Sequence, residues 1–190
     1  MKRVSIFGGS FNPVHNSHIR LIKEILKRKL VEEIWVIPCK SNTFKKELAP
    51  AKDRIKMLKL ALKDLKNTKI NLIEINSKGR DYTIKTINKL KRKYNHKFFL
   101  IIGADISREI IKWYKHDEIF KKTAFIIFKR TDCPIKDQEG MKIYAKILKS
   151  AGNISSTSIR QKISHGKRIS HLVPEEVEEY IKERGLYLPN

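Results

Sequence analysis

Two short stretches hold the residues best suited to chemistry. The first runs Gly8-Gly9-Ser10-Phe11-Asn12-Pro13-Val14-His15-Asn16-Ser17-His18, and the second Ile154-Ser155-Ser156-Thr157-Ser158-Ile159-Arg160. In the first, the glycines let a backbone approach phosphate closely, and a helix starting just after them presents unpaired N–H groups to an anion. His15 and His18, three residues apart at the start of that helix, project towards the same side. Two imidazoles beside a phosphate site can donate hydrogen bonds to phosphoryl oxygens as negative charge builds in a transition state. In the second, hydroxyls and N-terminal amides can hold phosphate oxygens, while Arg160 supplies a planar cationic fork.

Plainer readings compete with each motif. The loop is no P-loop, because GxxxxGKS/T is absent, and it is not the GxGxxG dinucleotide fingerprint. A generic turn accounts for Gly8 and Gly9 by themselves. A zinc pair at His15 and His18 has no evident third ligand nearby, and HExxH is missing. A lone HxxH is more often a pair of solvated loop histidines than a catalytic pair, but the glycine loop directly before this one reverses that judgement. Ser155 to Arg160 alone reads as an ordinary N-cap followed by a solvated arginine.

Both stretches need elements to position them. Val4 to Phe7 is a β-prone run that Gly8-Gly9-Ser10 breaks, and from about Ser17 to Lys29 apolar residues recur at helical spacing. Ile34 to Ile37 reads as a second strand, stopped by Pro38, with a polar stretch from Cys39 to Pro50 after it. Ile55, Leu58, Leu62 and Leu65 mark a helix ending near Asn67. Ile70 to Ile75 reads as a strand, Ile84 to Tyr94 as a helix, and Phe98 to Ile102 and Ala124 to Phe128 as fully apolar strands. Segment 143–148 fits a strand by alternation and a helix by propensity. Near the C-terminus, Pro174 suits the first helical position and Gly185 the stop. Apolar runs alternating with amphipathic helices imply a mostly parallel sheet covered on both faces. The expected fold is a single doubly wound, Rossmann-like α/β domain over residues 1–190, with a small helical part from about 154 to 190. In such a sheet ligands bind beyond the carboxyl ends of the strands, where the loop after the first strand lies.

Composition narrows the classes. The chain has 190 residues, 41% hydrophobic, enough apolar material to exclude a wholly disordered chain. Lys+Arg 42 against Asp+Glu 20 gives a net charge of +22, which by itself suggests a nucleic-acid or membrane-surface protein. Lysines lie on almost every expected helix, however, often alternating with apolar residues, and no RNA- or DNA-binding signature stands out. Two cysteines, Cys39 and Cys133, make neither a disulfide framework nor a four-ligand zinc site. The run after Met1-Lys2-Arg3 is too short for a signal-peptide core, and no apolar run approaches a membrane span. The expectation is a soluble cytoplasmic protein.

The first stretch, GGSFNPVHNSH, resembles the signature of the nucleotidylyltransferase superfamily in its nicotinate- and nicotinamide-mononucleotide adenylyltransferase branch. ISSTSIR is similar to that family's second signature, ISSTxIR, and stands in the expected order. Asp81 to Thr86 resembles the family's SYTxxT segment, Phe99 to Asp105 its strand and acidic turn, Trp113-Tyr114 its KWY segment, and Leu172 to Tyr187 its ending. Arg130 falls where the family has an arginine after a strand. Departures are Asn12 where the bacterial nicotinate branch commonly has Asp, Ser17 for Gly, Asp81 for Ser, Thr131 for Pro, and Thr43 to Lys46 for PPHK, so that only Lys46 is a match there. The resemblance implies transfer of the adenylyl group of ATP to nicotinate mononucleotide, with Mg²⁺ accompanying ATP and no protein-held metal. It implies His15, His18 and Arg160 as catalytic residues. ATP would lie along Gly8, Gly9, Ser10, Phe11, Gly103, Asp105 and the Ile154 to Thr157 run. The mononucleotide would meet Asn12, Lys46, Tyr82, Thr83, Trp113 and Arg130. The departures leave nicotinamide mononucleotide open as the acceptor. Phosphopantetheine and glycerol-phosphate nucleotidylyltransferases share an HxGH-like motif but lack the other matches. A basic nucleic-acid-binding protein is the alternative from another class. A homo-oligomer is compatible with the sequence and is not fixed by it.

Overall fold

Alternating side chains, two residues apart on opposite faces, are what build the sheet. In the computed structural model, which describes residues 1–40, 48–80, 82–129, 134–147 and 154–189, six strands lie side by side in the order β3-β2-β1-β4-β5-β6. They are β1 (Lys2–Gly9), β2 (Glu33–Pro38), β3 (Thr68–Ile70), β4 (His96–Gly103), β5 (Ala124–Phe128) and β6 (Ile143–Ile147). Every neighbouring pair is parallel. Ile34, Val36, Phe99, Ile101, Ile126 and Phe128 face one core. Their chain neighbours Trp35, Ile37, Phe98, Leu100, Phe125 and Ile127 face the other. Buried on both sides, these strands are continuous apolar runs, as the sequence reading requires.

The helices cover those two faces. On the first core lie α1 (Asn16–Lys27), α2 (Ala51–Leu62), α6 (Ser156–Ser164) and α7 (Glu175–Glu183). On the second lie α3 (Thr83–Lys93), α4 (Ala104–Glu109), a 3₁₀ turn at Ile110–Lys112 and α5 (His116–Lys122). Leu21, Ile22 and Ile25 are the buried stripe of α1, and Ile84, Ile87 and Leu90 that of α3. Each such side chain taken from water contributes about 1.5–3 kcal/mol before ordering entropy is counted.

Two local expectations change, and one open reading is decided. The strand expected over Ile70 to Ile75 stops at Ile70, because the Asn71 side chain accepts the Ile73 N–H at 3.0 Å and turns the chain. Segment 143–147 is a strand: pairing with β5, from Phe125↔Ile143 to Phe128↔Ile147, outweighs its helix propensity. Pro174 sits one residue before α7, with its carbonyl accepting the Val177 and Glu178 N–H groups. Gly185 follows the same helix at φ 57, the left-handed stop that glycine favours.

The strand order reverses between β1 and β4, the neighbours that part company at their carboxyl ends. That crevice is where an open α/β sheet binds its ligand.

Candidate active site

A cavity of about 470 Å³ opens there. Gly8, Gly9 and Ser10 from the end of β1 form one wall, and Gly103 and Asp105 from the end of β4 another. A Cβ at Gly8 would meet nothing within 4 Å, so the open face of this loop is bare backbone. A Cβ at Gly9 would press on the Phe11 ring at 3.2 Å. Phe11, held at φ 45, buries that ring under the loop against Phe7. At Gly103 a Cβ would collide with the Asp105 carboxylate, which lies close over the turn from β4 into α4.

The two histidines stack, with ring centroids 3.6 Å apart and planes 24° from parallel. His18 lines the cavity; His15, fully buried, lies behind it and is not on the wall. The His15 backbone N–H donates to His18 Nδ1 at 3.2 Å. A neutral His18 that accepts at Nδ1 carries its proton on Nε2, so it can donate a hydrogen bond from that atom. Phe11 and Phe7 flank the same ring at 5.1 and 5.7 Å, leaving it little freedom to turn. The helical spacing therefore brings both imidazoles together, as read, but in two layers.

From the opposite side, α6 presents its N-terminus. Ser155 caps it, accepting the Ser158 N–H at 3.1 Å, while the Ser156 hydroxyl donates to the Pro13 carbonyl at 2.9 Å. Ser155, Ser156, Thr157 and Arg160 all line the cavity; Ile154 does not, and packs against the core instead. Arg160 Nη1 donates to the Asn12 carbonyl at 2.8 Å and Nη2 to the Thr157 hydroxyl at 3.4 Å. A guanidinium carries five N–H donors, which these two contacts do not exhaust. The ordinary N-cap and the phosphate motif are thus one object. The start of α1 and the start of α6, both positive dipole ends, converge on the same cavity.

The remaining wall carries Thr83, Thr86, Glu74 and Trp113. The Thr86 hydroxyl donates to Glu74 Oε1 at 2.7 Å. Trp113 ends the 3₁₀ turn and is half-buried against the second core. Tyr82 precedes α3 and packs its ring on Tyr114, with centroids 4.5 Å apart, away from the cavity lining. Asn12 is on the wall, with its amide oxygen accepting the Ala49 N–H at 3.0 Å and the Tyr187 hydroxyl at 2.9 Å. Burial raises the Tyr187 hydroxyl above its ordinary value, so it remains a donor at neutral pH. Lys46 and Arg130, expected against the mononucleotide, lie outside the described residues, as do Asp81 and Thr131.

Motif reading missed Glu74 on the cavity wall and, behind it, Arg54. Arg54 of α2 is 1% exposed, and its guanidinium donates to three backbone carbonyls. These are Ser10 at 2.8 Å, Cys39 at 2.9 Å and Ala49 at 3.0 Å. It ties the glycine loop to the end of β2 and the entry of α2. Burial pushes the nearby Cys39 thiol up, which favours its protonated form on the cavity wall. Among the described residues no group of three or more His, Cys, Asp or Glu can hold a metal ion. Magnesium, which keeps several waters and binds through substrate phosphates and few carboxylates, does not need such a cage.

A family model described as cytidylyltransferase-like matches residues 6–162. The chain belongs to that family. It is 35% identical to the nicotinate-nucleotide adenylyltransferase of Bacillus subtilis, over 98% of this chain and 99% of that one. It is 37% identical to a probable nicotinate-nucleotide adenylyltransferase of Halalkalibacterium halodurans, over 100% of this chain and 93% of that one. Its fold superposes on a nicotinic acid mononucleotide adenylyltransferase of Plasmodium falciparum, complexed with NaAD, with TM-score 0.84, 25% identity and 98% of each chain covered. The cytidylyltransferase-like match spans both motifs, from within β1 to within α6, so the cavity lies inside the shared region. No helix among the described residues is long and apolar enough to cross a membrane.

Proposed function

We propose that this chain, acting as one domain over residues 1–190, transfers the adenylyl group of ATP to nicotinate mononucleotide, forming deamido-NAD and releasing pyrophosphate. The observation that carries this reading is the meeting of the His18 ring and the Ser155–Arg160 motif across one cavity at the β1/β4 switch. The relatives named for this reaction support it over the full length of the chain.

The nucleophile needs little help. The mononucleotide's 5′-phosphate has a second pKa of about 6 and is dianionic at neutral pH. Its oxygen attacks the α-phosphorus of ATP in line, and the bond to the bridging α–β oxygen breaks as pyrophosphate departs. Catalysis then consists of alignment and charge stabilisation. His18 Nε2–H donates to a non-bridging α-phosphate oxygen, with His15 behind it fixing tautomer and ring orientation. Arg160, Ser156 and Thr157 hold the β- and γ-phosphates, and Gly8 lets the chain of phosphates pass close to backbone. Trp113 supplies an aromatic face for the pyridine. Mg²⁺, arriving with ATP, neutralises phosphate charge.

Nicotinamide mononucleotide as the acceptor is favoured by one feature. Glu74 already places a carboxylate on the wall beside Thr86, where a second carboxylate would be repelled. Pyrophosphate release from ATP, followed with nicotinate mononucleotide, nicotinamide mononucleotide and phosphopantetheine in parallel, separates the readings. Turnover should be fastest with nicotinate mononucleotide; a preference for the amide would transfer the reading to that acceptor.

A further inference from the structure

We propose that Asn12 and Tyr187 are positioning residues for the phosphate grip, acting through Arg160; this rests on the functional reading above. One buried residue joins three segments distant in sequence. Asn12, 1% exposed, receives the Tyr187 hydroxyl and the Ala49 N–H on its amide oxygen, and Arg160 Nη1 on its main-chain carbonyl. Two donors on one oxygen fix the amide's orientation, and so the plane of the residue that Arg160 leans on. The next carbonyl, that of Pro13, receives the Ser156 hydroxyl. Two successive carbonyls of the first loop therefore hold Ser156 and Arg160 of α6.

The phenol is delivered from the opposite end of the chain by a fixed path. Tyr180 of α7 donates to the buried Asp53 of α2 at 2.7 Å, and Glu176 pairs with Lys63 at 2.6 Å. The helix then closes with the Leu186 N–H on the Ile181 carbonyl and the Gly185 N–H on that of Lys182. This turn, continued by Tyr187 at φ 68, carries the hydroxyl to Asn12. The phenol is kept from the cavity lining, so its effect on substrate must pass through Asn12. A bond that served stability alone would affect both substrates alike. One that orients Arg160 affects the triphosphate side.

Tyr187→Phe in the full chain removes the hydroxyl and keeps the ring. Losing one positioning hydrogen bond should raise KM for ATP about five- to tenfold while leaving KM for the mononucleotide unchanged. In an Arg160→Ala background the same change should bring no further loss, since its route has been removed. Asn12→Leu, which removes the acceptor of both donors, should raise KM for ATP by a similar factor. Calorimetric titration with pyrophosphate, which needs no turnover, should show weaker binding to Tyr187→Phe by a similar factor. An unchanged KM for ATP, additive losses with Arg160→Ala, or unchanged pyrophosphate affinity would each overturn the proposal. A wild-type chain that turns over no pyridine mononucleotide would instead overturn the functional reading, and the titration would still decide this one.

Discussion

His18 can serve as a donor because of a neighbour's backbone, not its own side chain. The His15 N–H occupies Nδ1, and the stacked ring and two phenylalanines hold the imidazole still. His18→Ala should lower kcat by about 10²–10³, the loss typical of one oxyanion donor, with KM for ATP little changed in steady-state assays. Near-normal turnover in that variant would remove His18 from the mechanism. Arg54 is the opposite case, a residue whose work is internal. Arg54→Met leaves three partly buried carbonyls without their donor, and since a fully buried one costs about 1–3 kcal/mol, urea unfolding should show a loss of about 2 kcal/mol or more. His18 and Arg160 were legible because local motifs announce them. Arg54 and Tyr187 were not, because their partners are a carbonyl or an amide far away in sequence. One signal for Arg54 existed: it shares the buried stripe of α2 with Met57, Leu58 and Leu62, where a charge needs a purpose.

At the scale of elements, the start of α6 depends on one hydroxyl. Ser155→Ala should cost about 1 kcal/mol in thermal or urea unfolding by removing the cap to Ser158. A variant as stable as the wild type would show that α6 is held by Ile159 and its packing alone. Ile159 is itself fully buried in the first core, and Ile159→Ala should cost about 2–5 kcal/mol. Strands β4 and β5 could be read directly from the sequence because both their faces are buried and their runs are uninterrupted. Segment 143–147 could not, since its residues suit both states and only the hydrogen bonds of β5 decide. The strand expected through Ile75 failed for a local reason, the Asn71 side chain competing with the ladder. The cavity's second wall, from Glu74 to Thr86, was half legible: the threonines lay in a motif, whereas the carboxylate that one of them meets came from outside it.

For the molecule as a whole, the surplus of 42 basic over 20 acidic residues first suggested nucleic acid. The reaction offers a nearer use, because ATP and a mononucleotide are both polyanions, and a surplus of basic residues would draw them towards the protein. Screening shortens from about 10 Å at 0.1 M salt to about 3 Å at 1 M, so KM for ATP should rise with ionic strength while kcat holds. A KM indifferent to salt would leave the charge without a part in substrate capture. Strand order itself was not legible, since it depends on pairings between distant segments, yet the doubly wound arrangement was, from alternation alone. Adenylyl transfer to a pyridine mononucleotide is the reaction assigned to this cavity. It is tested most directly by following dinucleotide and pyrophosphate together, from ATP and nicotinate mononucleotide, with the wild-type chain and His18→Ala side by side. Equal amounts of deamido-NAD and pyrophosphate are expected from the wild type, and a slow trace of both from the variant. Pyrophosphate release with no dinucleotide, or no turnover with either pyridine mononucleotide, would contradict that assignment.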